Sequence, residues 1–311
     1  MKKYFIMAVT VLASLTACQQ NEPEAAYNGE ILFSIPETRV AMSEVTTENL
    51  GNFYVWGIAN ATTMVYEGTE VTRGTNNIWS PLDADDLKYW AADATYRFAA
   101  ANITDGVTYA NNALTINYTN TGAFDLIAEV PTEAETSNGG TGKEYQPLVF
   151  DHLLSQVAFT FEWAFPTNDY TFTVSDLAVL NAAGKAVATV GADGELNWGT
   201  YTDGNAIALD ENTTIVTEAA RKLTTSSIAV IPTGSYKLAF KVTINEEKVV
   251  DYTGENALAF AYTTGYVAGN KYTFNAKISA ENLELLPIEF SSVTVTPWGD
   301  VDGGEIDFDQ Q

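Results

Sequence analysis

The chain has 311 residues, 40 acidic and 15 basic, for a formal charge of −25. So acidic a protein repels phosphate backbones, which argues against nucleic acid as a partner. Its 16 Tyr, 15 Phe and 6 Trp suit strands, and the length fits about two domains.

Lys2 and Lys3 make a positive start. Tyr4 to Leu15 is an apolar run too short to span a bilayer comfortably. It ends in Leu15-Thr16-Ala17-Cys18. Small residues before a cysteine fit a bacterial lipoprotein cleavage site. Residues 1–17 are then a signal peptide, and the Cys18 sulfur carries lipid. Cys18 is the only cysteine, so it has no intramolecular disulfide partner. Acyl chains contribute about 0.8 kcal/mol per buried CH₂, so a lipidated Cys18 holds the chain on a membrane. Removing residues 1–17 takes away two lysines and no acid, moving the charge from −25 to about −27.

Residues 19–28 are polar and read as a tether. In Gly29–Pro36, Ile31, Phe33 and Ile35 share one face of a strand. Asn52–Ala59 is the next strand, with Phe53 and Val55 on one face and Tyr54, Trp56 and Ile58 on the other. Tyr96–Ala100 and Leu114–Tyr118 follow. Residues 132–146 gather glycines, serine and charges without a period, which marks a loop. A domain junction falls near its end, giving segments 40–146 and 147–311. The strongest alternation comes next: Val157, Phe159, Phe161, Trp163 and Phe165, then Tyr236 to Ile244, then Tyr272 to Ile278. One buried and one wet face per strand implies antiparallel sheets packed as sandwiches. Helix is minor, and Asn212–Leu223 is the best candidate.

The chain offers little for catalysis. The single histidine, His152, stands just before the strongest strand and reads as a structural hydrogen bonder. One His and a lipidated Cys make no zinc set. Asp83-Ala84-Asp85-Asp86 lacks EF-hand spacing. Gly139-Gly140-Thr141-Gly142-Lys143 lacks the phosphate-loop spacing. The expectation is no metal, no cofactor and no enzymatic activity. The tryptophans raise one alternative, a lipid-anchored surface protein that stacks exposed Trp on glycans. Trp163 in a core register, with Trp90 and Trp298 flanking strands, argues for core instead.

An ordered set of segments resembles the fimbrillin family, the lipoprotein precursors of type V pilins and their accessory relatives. They are the Leu15–Cys18 lipobox, Pro36-Glu37-Thr38-Arg39-Val40, and Leu87-Lys88-Tyr89-Trp90 with Tyr96–Ala100. Pro147–Val157 around Phe150, His152 and Ser155, then Gly269-Asn270-Lys271-Tyr272 and Val293–Trp298, complete the set. The resemblance implies an all-β chain of two transthyretin-like antiparallel β-sandwich domains. It implies that an arginine-specific protease removes residues 18–39, tether and first strand together, cutting after Arg39 and leaving Val40 as the new N-terminus. Arg73 is the alternative site. It also implies polymerisation with other pilin subunits by donor-strand exchange, export to the outer membrane through the lipid, and adhesion to a host or bacterial surface receptor. Shaft, tip and anchor subunits are not separated by it.

The exchange has a physical basis. Ile31, Phe33 and Ile35 read as core residues of an edge strand. Burying each is worth roughly 1.5–3 kcal/mol, so about 5–9 together, against a domain stability of about 5–15 kcal/mol. Losing the strand leaves a groove that an extended segment of matching alternation can refill. Three pairs near the end of the chain could donate: Ile288 and Phe290, Val293 and Val295, or Ile306 and Phe308. The alternation does not choose among them.

Overall fold

The computed structural model describes residues 29–35, 50–122, 125–131, 133–136, 143–163, 172–209, 213–215, 222–261, 265–278, 288, 290–297 and 305–307. Among these residues the chain is almost wholly extended, with short 3-10 turns at Thr75–Asn77, Ala84–Asp86 and Gly254–Asn256 and no α-helix.

The first part contains β1 (Phe33–Ser34), β2 (Asn52–Ala59), β3 (Thr63–Arg73), β4 (Ile78–Pro81) and β5 (Thr95–Ala101). A hairpin, β6 (Val107–Ala110) and β7 (Ala113–Thr119), turns through Asn111 and Asn112 at φ 53 and 58, a left-handed conformation that Asn tolerates. Then come β8 (Ile127–Glu129), β9 (Glu135–Thr136), β10 (Gln146–Pro147) and β11 (Asp151–His152). All but the hairpin form one sheet, in the order β10-β1-β4-β3-β2-β5-β8-β11 with β9 on β5. Ile31, Phe33, Phe53, Val55, Val71, Trp79, Tyr96, Phe98, Leu148 and Phe150 turn inward as its core.

The second part contains β12 (Ser155–Trp163), β13 (Phe172–Val190), β14 (Leu196–Trp198), β15 (Thr202–Ala208), β16 (Thr213–Ile215), β17 (Lys222–Thr224) and β18 (Ile228–Val230). β19 (Tyr236–Ile244), β20 (Lys248–Tyr252), β21 (Leu258–Phe260), β22 (Asn270–Ile278), β23 (Phe290–Pro297) and β24 (Glu305–Asp307) complete it. One sheet runs β17-β12-β22-β23-β24, with β18 on β12. The other runs β20-β19-β13-β7-β6, with β14, β15 and β16 on β13 and β21 on β19. The inward residues expected from alternation meet between these two sheets. Val157, Phe159, Phe161, Tyr272 and Phe274 pack against Phe172, Val174, Leu238, Phe240 and Val242, and the Phe161 and Phe240 rings lie 5.0 Å apart. The expected helix over Asn212–Leu223 is corrected: Thr213–Ile215 pairs with β13, and Lys222–Thr224 pairs with β12. The β-branched threonines and Ile215 favour that outcome.

A third core joins the two parts. The other face of β2 and β5, with Trp56, Ala99 and Ala101, packs on Leu114 and Ile116 of β7 and on Ala186, Ala188 and Val190 of β13. β2 therefore has two buried faces rather than one, and Ala99-Ala100-Ala101 suits a strand squeezed from both sides. β13 is long because its start serves the second-part core and its end serves this one. β7 pairs with β13 from Thr119↔Lys185 to Leu114↔Val190, so strand pairing crosses the junction placed near residue 146. Asn120, 1% exposed, fastens the crossing. Its amide donates to Ala182 O at 2.9 Å and Ala229 O at 2.8 Å and accepts from Gly122 N at 3.1 Å.

Candidate functional site

Alternation places Ile31, Phe33 and Ile35 on one face, and all three are buried in the first core. Their strand is not at an edge, however, which corrects the expectation. β4 lies antiparallel on one side, with Phe33 opposite Trp79 and Ser34 opposite Ile78. β10 lies parallel on the other, with Phe33 beside Gln146 and Ser34 beside Pro147. Ile31 N donates to Lys88 O at 2.8 Å and Trp90 N to Gly29 O at 2.9 Å. Gln146 N donates to Leu32 O and Leu148 N to Ser34 O, at 2.8 and 2.9 Å. The strand thus occupies a slot with two hydrogen-bonding walls. The missed wall is the stretch Gln146-Pro147-Leu148. Its signal is the alternation of Gln146, Leu148 and Phe150, which straddles the end of the expected 132–146 loop and the start of the Pro147–Val157 stretch.

The slot floor is aromatic. Phe33 lies 5.7 Å from Phe98, 5.9 Å from Tyr66 and 6.3 Å from Phe53, all edge-on, the arrangement ring quadrupoles favour. Burial raises the Tyr66 phenol well above its usual range, so it stays neutral and directs its hydroxyl to Ile31 O at 3.5 Å. Two buried polar atoms around the slot have no partner among the described residues, Trp90 Nε1 and Gln146 Oε1. Outside, Leu32, Ile78, Leu82, Leu87 and Glu30 border a shallow groove of about 340 Å³.

Cys18, Arg39, Val40 and Phe308 lie outside the described residues, as does the side chain of Ile306. Arg73 is exposed but ends β3, opposite Trp79, and the next amide, Gly74 N, donates to Ile78 O at 2.7 Å. Of the donor candidates, Ile288 and Val293 are fully buried in the second-part core and Phe290 and Val295 pack against it. β23 pairs with β22 along its length. Among the described residues, Glu305–Asp307 pairs with β23 alone.

His152 donates from Nδ1 to Asp125 Oδ2 at 2.7 Å, a tie beside the β8–β11 pairing. It borders a cavity of about 360 Å³ with Glu129, Asp151, Val190, Leu196 and Gly269. Burial, with the Asp151 carboxylate beside it, pushes Glu129 from the ordinary 4.5 up to about 7, against a lowering hydrogen bond with the Val149 backbone. Burial raises Asp151 as well. Among the described residues, no three His, Cys, Asp or Glu converge to hold a metal ion, and no helix is long and apolar enough to cross a membrane.

Trp56, Trp79 and Trp90 are buried. Trp198 is half-buried and donates from Nε1 to Leu153 O at 2.9 Å. None of these four forms the exposed platform that glycan stacking needs.

Packed sheets with a short interior strand near the start of the chain define an all-β class; the expected purely antiparallel pairing is corrected, since β12 runs parallel to β22 and β1 parallel to β10. The chain matches the fimbrillin-like family over residues 38–298 and belongs to that family. Its fold is similar to that of a candidate cell adhesion protein from Bacteroides uniformis ATCC 8492, with TM-score 0.50, 17% identity, and 87% of this chain and 100% of that one covered. It is also similar to that of a fimbrial protein from Bacteroides vulgatus ATCC 8482, with TM-score 0.51, 14% identity, and 86% and 99% covered. At such identities the likeness is one of fold. A search of curated proteins by sequence finds no match.

Proposed function

We propose that this protein is a structural subunit of a cell-surface fimbria, working by assembly and adhesion rather than catalysis. It is exported as a lipoprotein with lipid on Cys18. An arginine-specific protease cuts after Arg39 and frees the strand carrying Ile31, Phe33 and Ile35. A strand from another subunit then fills the vacated place, and the polymer presents its subunits to a host or bacterial surface receptor.

The observation that carries this reading is the interior position of β1. Removing an edge strand exposes one row of backbone groups. Removing this strand exposes two rows, and opens a pocket that Phe33 fills among three aromatic rings. Unpaired buried backbone is costly, so the cut form is driven to capture a replacement. The family match begins at residue 38, leaving the strand outside it and Arg39 just inside. Arg73 is a poorer target, since a cut there requires the β3–β4 ladder to open, and proteases favour exposed loop tips.

The test is limited digestion of the chain, made without residues 1–18, by an arginine-specific protease. Mass spectrometry locates the cut, and electron microscopy examines the product. A single cut after Arg39 followed by oligomer ladders or fibres is expected. A product that is cut at Arg39 and stays monomeric sinks the strand-exchange reading.

A further inference from the structure

Gln146–Pro147 (β10) and Asp151–His152 (β11) are the two ends of the first sheet, yet only residues 148–150 separate them in the chain. Seven inter-strand steps lie between them across the sheet. A flat sheet would hold them about 34 Å apart, at about 4.8 Å per step. The four residue steps from Pro147 to Asp151 reach at most about 14 Å. The sheet is therefore rolled until its ends approach, and residues 146–152 are the seam. Leu148 and Phe150 of the seam belong to the first core.

One end of the seam is the parallel wall of the β1 slot, where Gln146 N and Leu148 N donate to Leu32 O and Ser34 O. The other end is thinly held. β11 pairs with β8 at two positions, Asp151↔Ala128 and His152↔Ile127, and Leu153 N adds a bond to Leu126 O at 2.8 Å. Glu129, the last residue of β8, hydrogen-bonds the Val149 backbone in the middle of the seam.

Glu129 and Asp151 border one cavity of about 360 Å³, walled by both parts of the molecule. From β11 come Asp151 and His152, the latter tied to Asp125. From β5, Ala100 stands opposite Glu129 and Ala101 opposite Ala128, so that strand brings no charge at these positions. The far wall, Val190, Gly194, Leu196, Ala268 and Gly269, has no titratable side chain. Asp193 and Glu195 flank Gly194 and add only negative charge. Among the described residues lining the cavity, His152 alone can carry a positive charge. The Val149 bond favours a charged Glu129, but burial and Asp151 outweigh it.

We propose that Glu129 and Asp151 form an electrostatic latch on the seam: neutral Glu129 keeps β11 against β8, and its ionisation sets two carboxylates against each other, loosens the seam and slackens the wall that holds β1. The link is residues 148–150, too short to leave much slack between the two ends. Because folding raises Glu129 from 4.5 to about 7, its hold is full below about pH 4.5 and is lost as pH rises through 7. The latch belongs to the uncut chain and does not rest on strand exchange. Where that reading holds, the latch sets how readily the strand carrying Phe33 leaves.

The test is amide hydrogen exchange of the uncut chain, read by NMR at about pH 5.5 and pH 8 and expressed as protection relative to the unstructured rate at each pH. Protection of the Gln146, Leu148 and Leu153 amides is expected to fall by roughly tenfold between the two, the full linkage being reduced by the water that reaches the carboxyl. Amides of the β22–β23 ladder serve as the control and change much less. Glu129→Gln keeps the shape and cannot ionise, and is expected to abolish the fall. Asp151→Asn, at an exposed position, is expected to shrink it. Protection that does not change with pH overturns the latch, as does a fall that persists in Glu129→Gln or one shared equally by β22–β23. A fall confined to Leu153 overturns the coupling to the β1 wall. Each of these outcomes leaves the strand-exchange reading to its own digestion test.

Discussion

Replacing Phe33 with alanine perturbs the slot at its centre. The side chain is fully buried, and three aromatic rings lean on it edge-first. Transfer of the ring out of water is worth about 1.5–3 kcal/mol. The cavity left behind and the lost ring contacts bring buried Phe→Ala changes to about 3–5 kcal/mol. The upper half of that range is expected, because the floor beneath Phe33 belongs to paired strands that cannot collapse inward. Leu32→Ala is the control. Leu32 is half-buried and faces the outer groove, so its loss costs about 1 kcal/mol. The assay is urea unfolding of the uncut chain, followed by tryptophan fluorescence, since Trp79 and Trp90 sit in the same core. With a urea slope of about 2 kcal/mol/M, the Phe33→Ala midpoint falls by about 2 M. A loss below about 1 kcal/mol, or one equal to that of Leu32→Ala, refutes the argument that inward packing holds the first strand.

Three further outcomes are expected. Glu129 has a folded pKa raised from 4.5 to about 7. The stability it contributes is therefore full below about pH 4.5 and is lost as pH rises through 7. Glu129→Gln should accordingly raise the melting temperature relative to the parent at pH 8 and leave it nearly unchanged at pH 4.5, as read by paired thermal melts across that window; an unchanged difference across pH would remove the burial argument. Asn120→Leu strips three hydrogen bonds from a buried site and leaves the Ala182 and Ala229 carbonyls without this partner. A loss of about 2–4 kcal/mol is expected, with faster amide exchange at the β7–β13 pairing than at β22–β23. At Gly204 an added Cβ would run into the Ala183 carbonyl across the β13–β15 irregularity, so Gly204→Ala should cost about 1–3 kcal/mol by chemical denaturation, whereas Gly51→Ala, with open space around it, should cost little.

Period-two patterning identified β12, β19 and β22 of the second-part core, but not β13, the longest strand that packs against them. Side-chain direction alternates by geometry, so Val157, Phe159 and Phe161, or Tyr272 and Phe274, declare their face without any knowledge of partners. The same rule found Ile31, Phe33 and Ile35. What pairs with what depends on residues distant in sequence. The Gln146–Leu148 wall of the slot lies more than a hundred residues from β1, and one Gln and one Pro disguise it as loop. Asn212–Leu223 carried helix-compatible composition, and only pairing to β12 and β13 made its ends strands. β2 carries apolar residues on both faces, Phe53 and Val55 on one and Tyr54, Trp56 and Ile58 on the other, and only the third core shows what covers the second face. The chain alone thus fixed which side chains face inward. The tertiary structure decided that the first strand lies inside its sheet rather than at the edge, because only long-range hydrogen bonding sets strand order.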